Sequence, residues 1–143
     1  MPGQILGPEE KAQHDRLVTE VARQKFACPT REYPTCMTYT NEPVQRVMVY
    51  TGSGPVYPDI VVVDGAASNK LVMIGEVETE ATITQDHVQQ WRTYSALNVP
   101  FFLYVPLRLV QEARNLLSSN GVSVPALRSY SNDAQGNLQI TNV

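Results

Sequence analysis

Two apolar runs of strand length, Ile60-Val61-Val62-Val63 and Leu71-Val72-Met73-Ile74, flank a short polar segment and run into carboxylates at the same end. Few folds accommodate that arrangement. The intervening Asp64-Gly65-Ala66-Ala67-Ser68-Asn69-Lys70 is small, polar and glycine-containing, the composition of a hairpin loop. With the loop centred near Ala67, residues whose numbers sum to about 134 or 135 face each other across an antiparallel pair, so Asp59 falls opposite Gly75 or Glu76. Strand alternation puts Glu76, Glu78 and Glu80 on one face, with Val77 and Thr79 on the other. Gly75 is expected to hold a bulge that turns the acids toward Asp59. A carboxylate at the end of a buried strand is costly unless it is paired, solvated or bound to metal. Asp59, Glu76 and Glu78 therefore read as one site; the competing reading is a set of acids that solvates a strand end and pairs with Arg92 or Arg46. Such a cluster suits magnesium, which takes carboxylate oxygens, keeps several waters and bridges to phosphate.

The rest of the chain supplies alternating helices and strands. Leu17, Val18, Val21 and Ala22 recur at helical spacing, and Pro8-Glu9-Glu10 is a helix start, so an amphipathic helix is expected from Pro8 to about Phe26. On it His14 and Glu20 read as solvated. Pro29 to Pro43 holds three prolines and reads as a loop or irregular edge, and Val44 to Tyr50 as a strand. Thr51-Gly52-Ser53-Gly54-Pro55 is a turn leading to Tyr57-Pro58-Asp59; without a lysine at the phosphate position it is no P-loop. Thr84 caps a helix through Trp91 and Tyr94 to about Leu97, placing Gln90 and Tyr94 on one face. Pro100 to Pro106 is apolar throughout, as in a buried parallel strand. A helix from Leu107 to about Leu117 stops at Asn120-Gly121, a short strand covers Val122 to Leu127, and Leu138-Gln139-Ile140 sits at an edge.

At 143 residues the chain is expected to form a single domain, residues 1–143, with its core at about 8–130 and residues 131–143 as an edge strand or tail. A hydrophobic content of 43% with 17% charged residues describes a globular protein, not a disordered tail. No apolar run reaches the roughly eighteen residues a spanning helix needs, and Met1-Pro2-Gly3-Gln4 lacks the basic start of a signal peptide; a cytoplasmic location without membrane association is the expectation. Seven residues separate Cys28 from Cys36, a spacing that fits neither a redox pair nor a zinc site, so two free thiols are expected, a disulfide being the geometrically open alternative. The net charge of −3 argues against a constitutive, sequence-blind DNA binder.

Pro58-Asp59, a hairpin, and then Glu76-Val77-Glu78 resembles the PD-(D/E)xK nuclease superfamily. Gln90 with Tyr94 is similar to the Gln-x-x-x-Tyr element of its RecB-like branch. The helix, three strands, helix, strand order is that of the restriction-endonuclease-like fold, an α/β class whose αβββαβ core is a central mixed sheet flanked by helices. The resemblance implies a metal-dependent nuclease, a phosphodiesterase in which Asp59, Glu76 and the Val77 carbonyl ligate Mg²⁺ or Mn²⁺. A first-helix glutamate joins that site in some members, and Glu20 is the candidate. Glu78 takes the position of the superfamily's lysine, a substitution some of its restriction endonucleases share. Lys70 is no replacement, because six strand residues put it roughly 20 Å from Glu76. Gln90 would orient substrate or water, and Arg92, Arg46 and Lys25 are candidates for phosphate contacts. The implied partner is nucleic acid, DNA ahead of RNA, and the implied assembly a homodimer. A catalytically inactive nuclease-like domain, kept for nucleic-acid binding or assembly, is the alternative the missing lysine leaves open.

Overall fold

Proline at the first helical position, Glu9 and Glu10 in the first turn and Arg23 and Lys25 in the last complement the dipole of α1, Pro8–Lys25. The computed structural model describes residues 7–124 and 126–143, so residues 1–6, with the expected non-signal start, lie outside it. After α1 come β1 (Cys36–Thr40), β2 (Val49–Thr51), β3 (Gly54–Val56), β4 (Ile60–Asp64), β5 (Lys70–Val77), α2 (Gln85–Ser95), β6 (Phe101–Pro106), α3 (Val110–Ser119), β7 (Ala126–Asn132) and β8 (Leu138–Asn142). Six strands form one mixed sheet in the order β1-β4-β5-β6-β7-β8, and β2 and β3 pair separately as a ribbon. The pairs β1/β4, β4/β5 and β7/β8 are antiparallel, whereas β5/β6 and β6/β7 are parallel.

Over the described residues the chain is therefore a mixed α/β protein with three α-helices. One face of the sheet carries α1: Val18, Val21 and Ala22 pack with Ile60, Val62, Val77 and Tyr104. The opposite face carries α2 and α3, whose Val88, Trp91, Tyr94, Ala113 and Leu117 meet Ile74, Leu103 and Val105. Ile60 and Val62 point to one layer and Val61 and Val63 to the other, the period-two alternation of a strand buried on both faces. Val18 and Val21 are fully buried. Each such burial is worth about 1.5–3 kcal/mol, and these two contacts fix how deep the α1 residues on the same stripe sit.

Several sequence expectations need correction. The proline-rich stretch does supply an edge, since β1 within it is the sheet's edge strand and flanks β4, whereas the strand expected at Val44 to Tyr50 is loop through Met48 and only Val49–Thr51 pairs, in the ribbon. Asn41 is the reason: its buried amide accepts from the Arg46 and Val47 N–H groups at 2.7 and 2.8 Å and donates to the Val47 carbonyl, which draws the backbone out of any ladder. Leu107–Leu109 is 3₁₀ and α3 starts at Val110, ending where Gly121 takes φ +65°. The last parallel strand starts at Ala126 and runs to Asn132; residue 125, inside the expected strand Val122 to Leu127, lies outside the described residues.

Hairpin register follows the arithmetic: Ile60↔Gly75, Val61↔Ile74 and Val62↔Met73 sum to 135, and Val63↔Leu71 and Asp64↔Lys70 to 134. The bulge is thus at Val72, not at Gly75. Gly75 serves a different purpose, because Phe26 lies against its backbone, edge-on to Phe102 at 5.7 Å and to Tyr104 at 6.0 Å between centroids. A β-carbon at position 75 would meet Phe26 Cζ at 2.9 Å. Gly75→Ala is expected to destabilise by about 1–3 kcal/mol, the ordinary cost of overpacking, read as a lower urea midpoint.

Candidate metal centre

Asp59 stands immediately before β4, and its position is set from two sides. Asn41 Nδ2 donates to the Pro58 carbonyl at 2.7 Å, and the Asn41 N–H donates to the Asp59 carbonyl at 2.9 Å. From β5, the Val77 N–H donates to Asp59 Oδ2 at 2.9 Å, and the Asp59 N–H returns a bond to Glu76 Oε1 at 2.7 Å. The reciprocal pair extends the antiparallel register one step beyond the ladder, so Asp59 opposes Glu76. Here β4 begins and β5 ends, and the sheet opens between its two helical layers.

Each layer sends side chains into that opening. From α1, His14 Nε2 lies 2.8 Å from the Val77 carbonyl and 3.2 Å from Asp59 Oδ2. A carbonyl only accepts, so Nε2 carries a proton here. From α2, Trp91 Nε1 donates to Glu78 Oε2 at 2.5 Å, and Gln90 Nε2 donates to the Tyr94 hydroxyl at 3.2 Å. His87 Nδ1 stands 3.6 Å from the same Glu78 oxygen, buried and without a hydrogen-bond partner. Glu78 is further held through its backbone, its N–H on the Tyr104 carbonyl at 2.8 Å and its carbonyl taking the Tyr130 hydroxyl at 2.7 Å. Past Glu78 the chain turns, with the Thr79 N–H on Thr82 Oγ1 at 2.8 Å. Alternation stops there. Glu80 leaves the expected face for solvent and pairs with Arg108.

The three acids are 6% (Asp59), 4% (Glu76) and 2% (Glu78) exposed, and among the described residues no arginine or lysine pairs with them. Burial, then the neighbouring charges of Asp59 and Glu78, pushes the Glu76 carboxyl well above the usual range. Burial also raises Asp59, against the His14 hydrogen bond. At His14 burial works downward, but the Asp59 hydrogen bond and charge and the Val77 carbonyl overcome it, pushing the imidazole up to about 9. His87 is raised by its proximity to Glu78. The site sets three buried carboxyl groups beside two histidines.

His14, Glu42 and Asp59 each offer a ligand atom within 4.8 Å of the others, a group able to hold a metal ion. Glu42 reaches it from the loop after β1 while bonded to Lys11 Nζ at 3.0 Å. A cleft of about 390 Å³ gives access, lined by these residues together with Glu76, Glu78, Gln90, His87, Thr82, Lys11, Gln45 and Tyr57. The donor chemistry fits a divalent cation: carboxylates, one carbonyl and one imidazole.

The structure thus brings together Asp59, Glu76, the Val77 carbonyl, Glu78 and Gln90. It leaves Glu20 out. That residue bonds Arg23 and Gln24 and lines a separate groove beside Leu138, because six residues along a helix turn it away from His14. Lys25, Arg46 and Arg92 do not line the cleft; Arg92 Nη2 is bonded to the Asn120 carbonyl at 2.7 Å. His14, expected to be solvated, is 9% exposed. A signal for it existed, since residues 14, 18, 21 and 22 follow the i, i+4, i+7, i+8 stripe that α1 buries. Glu42, His87 and Asn41 carried no comparable signal. Cys28 and Cys36 are free, and no described helix is long and apolar enough to cross a membrane. Comparison with family models, with curated proteins and with solved structures finds no match to this chain.

Proposed function

We propose that the protein is a metal-dependent nuclease of the restriction-endonuclease-like fold, hydrolysing nucleic-acid phosphodiester bonds at this cleft. One observation carries the reading: Asp59 Oδ2 and the Val77 carbonyl converge on a single atom, His14 Nε2, with Glu42 and Glu76 alongside. The sheet order and the helix after the acidic strand support it, since α1, β1, β4, β5, α2 and β6 run in the αβββαβ order. Asp59, Glu42, the Val77 carbonyl and a deprotonated His14 would hold Mg²⁺ or Mn²⁺, with Glu76 beside them. Bound there, such an ion supplies Lewis-acid polarisation of the scissile phosphate and a more acidic water.

The chain's own residues divide the remaining work. The Asp59 N–H pins one Glu76 oxygen, which fixes the direction of the other. Trp91 holds Glu78 in the position where the superfamily has lysine, leaving its carboxylate to take a proton from the attacking water. His87 Nδ1, without a partner of its own, shares that water with Glu78. Gln90 is steered by Tyr94. His87→Ala is expected to lower turnover about tenfold to a hundredfold while leaving divalent-ion affinity within about threefold, since the imidazole touches Glu78 and not the Asp59 group.

The deciding experiment incubates plasmid, single-stranded DNA and RNA with wild type and Glu76→Ala in Mg²⁺ and in Mn²⁺. Divalent-dependent cleavage lost in the variant is the expected result; cleavage that survives the substitution places the activity elsewhere. An inactive nucleic-acid-binding or assembly module is the second reading. It is favoured by the cleft's single lysine, Lys11, being spent on Glu42 and Asp15. It predicts metal binding without turnover.

A further inference from the structure

We infer that Cys28 and Cys36 form a redox-active thiol pair, which a peroxide closes to a disulfide within the folded protein. Seven residues separate them in the sequence, and the fold removes that distance. Cys36 and Thr38 alternate onto the face of β1 that α1 covers: Cys36 belongs to the buried layer of Val18, Phe26 and Val62, and Thr38 stands opposite Val62. The chain leaving α1 crosses this face, because Thr38 Oγ1 donates to the Phe26 carbonyl. Two residues past Phe26 is Cys28, packed against the same layer, and two residues back from Thr38 is Cys36. Between them the chain doubles back, with the Thr30 and Cys36 N–H groups both on the Tyr33 carbonyl, at 3.2 and 3.3 Å, and the Tyr33 N–H on Thr30 Oγ1 at 2.9 Å. The start of β1 is held from β4 as well, by the Gly65 N–H on the Thr35 carbonyl at 2.9 Å and by Thr35 Oγ1 on Asp64 Oδ1 at 2.6 Å. The two thiols meet as a result: after burial itself, the charge and hydrogen bonding of Cys28 push the Cys36 thiol upward. Cys36 pairs with Asp64, at the end of β4 opposite to Asp59, so the pair is separate from the metal centre.

Different surroundings divide the work between the sulfurs. Cys28 is half-buried, whereas Cys36 is 5% exposed. The Cys28 thiolate is the one a small oxidant reaches. With hydrogen peroxide it attacks one oxygen, the O–O bond breaks, and Cys28 becomes a sulfenic acid while the other oxygen leaves as water. Cys36 then attacks the Cys28 sulfur, the S–O bond breaks, and the departing hydroxide takes up the Cys36 proton as a second water. Both thiols are oxidised and the peroxide is reduced, with no further reactant. The bridge closes the turn that follows Phe26, the ring that lies against Gly75 directly before Glu76, so its formation is read in the stability of the α1 layer.

The test treats reduced, chelator-washed protein with a small excess of hydrogen peroxide, in native buffer and in denaturing urea. Trypsin cuts after Lys25, Arg31 and Arg46, which puts Cys28 and Cys36 on separate peptides. The expected result is a Cys28–Cys36 cross-linked peptide from the native sample, with both thiols lost to maleimide labelling and both recovered with dithiothreitol. The oxidised protein should show an unfolding equilibrium shifted about thirtyfold to a hundredfold toward the native state, seen as a higher urea midpoint. Cys36→Ser should stop at a Cys28 sulfenic acid that dimedone traps, and Cys28→Ser should lose its remaining thiol at least about tenfold more slowly than wild type loses its pair. Thiols that survive peroxide in native buffer, or a cross-link that forms only in urea, overturn the inference. So does native oxidation that runs to Cys28 sulfinic acid, or to disulfide-linked dimers, with the Cys36 thiol retained. A native disulfide that lowers the urea midpoint overturns it too, because the fold would then not hold the two sulfurs in bonding position.

Discussion

Glu76→Gln is expected to stabilise the metal-free protein at pH 8 by about 1–4 kcal/mol, the scale on which neutral replacements of buried ionic groups act, and under the nuclease reading to abolish cleavage as well. The amide keeps an oxygen for the Asp59 N–H, so the backbone contact at 2.7 Å survives. What disappears is a buried charge beside Asp59 and Glu78. The pH dependence follows from linkage. Glu76 binds its proton more tightly folded than unfolded, so its contribution is full below the ordinary 4.5 and is lost as pH rises through the elevated folded value. His14 acts in the same direction: its contribution is full below 6.5 and is lost as pH rises through about 9. Metal-free wild type should therefore lose stability from weakly acidic to alkaline pH, and Glu76→Gln should flatten the lower part of that fall. Divalent ion at a hundred times its dissociation constant should restore about 2.7 kcal/mol, and more effectively at pH 8 than at pH 5.5 because the ligands must be deprotonated. Chemical denaturation at several pH values, with and without Mg²⁺, checks all three statements.

Trp91→Ala is expected to cost about 3–5 kcal/mol and to leave little folded protein at 37 °C, because the indole is fully buried between α2 and the sheet. Trp91→Phe separates packing from polar support. Phenylalanine fills most of the volume but cannot donate to Glu78, whose oxygen accepts from the indole at 2.5 Å. A loss of about 1–3 kcal/mol follows from leaving that carboxylate without its donor. Under the nuclease reading Trp91→Phe should also lower turnover well beyond its effect on stability, since Glu78 is no longer fixed; activity equal to wild type in a folded Trp91→Phe would remove Glu78 from the mechanism.

The acidic end of the hairpin was legible because alternation and loop length determine register once the turn is recognised, which is why Asp59 and Glu76 meet. The flanking strand was not. Val44 to Met48 has the stronger β composition, yet the Asn41 side chain takes its backbone groups, while proline-flanked Cys36–Thr40 pairs with Asp64–Ile60. Local propensity loses there to one buried amide. Glu20 drew attention by analogy with a first-helix acid, but helix geometry gives that place to His14, which lies on the apolar stripe. Glu42 and His87 come from a loop and a helix start whose approach to Asp59 and Glu78 depends on tertiary packing alone.

The central claim is that these residues form a divalent-metal centre, and calorimetric titration of Mg²⁺ and Mn²⁺ at pH 8 tests it most directly. Saturable binding is predicted in wild type and in Glu20→Gln, weakened at least tenfold in His14→Ala and lost in Asp59→Ala. Absence of binding at millimolar ion, or binding that Asp59→Ala leaves unchanged, would contradict it.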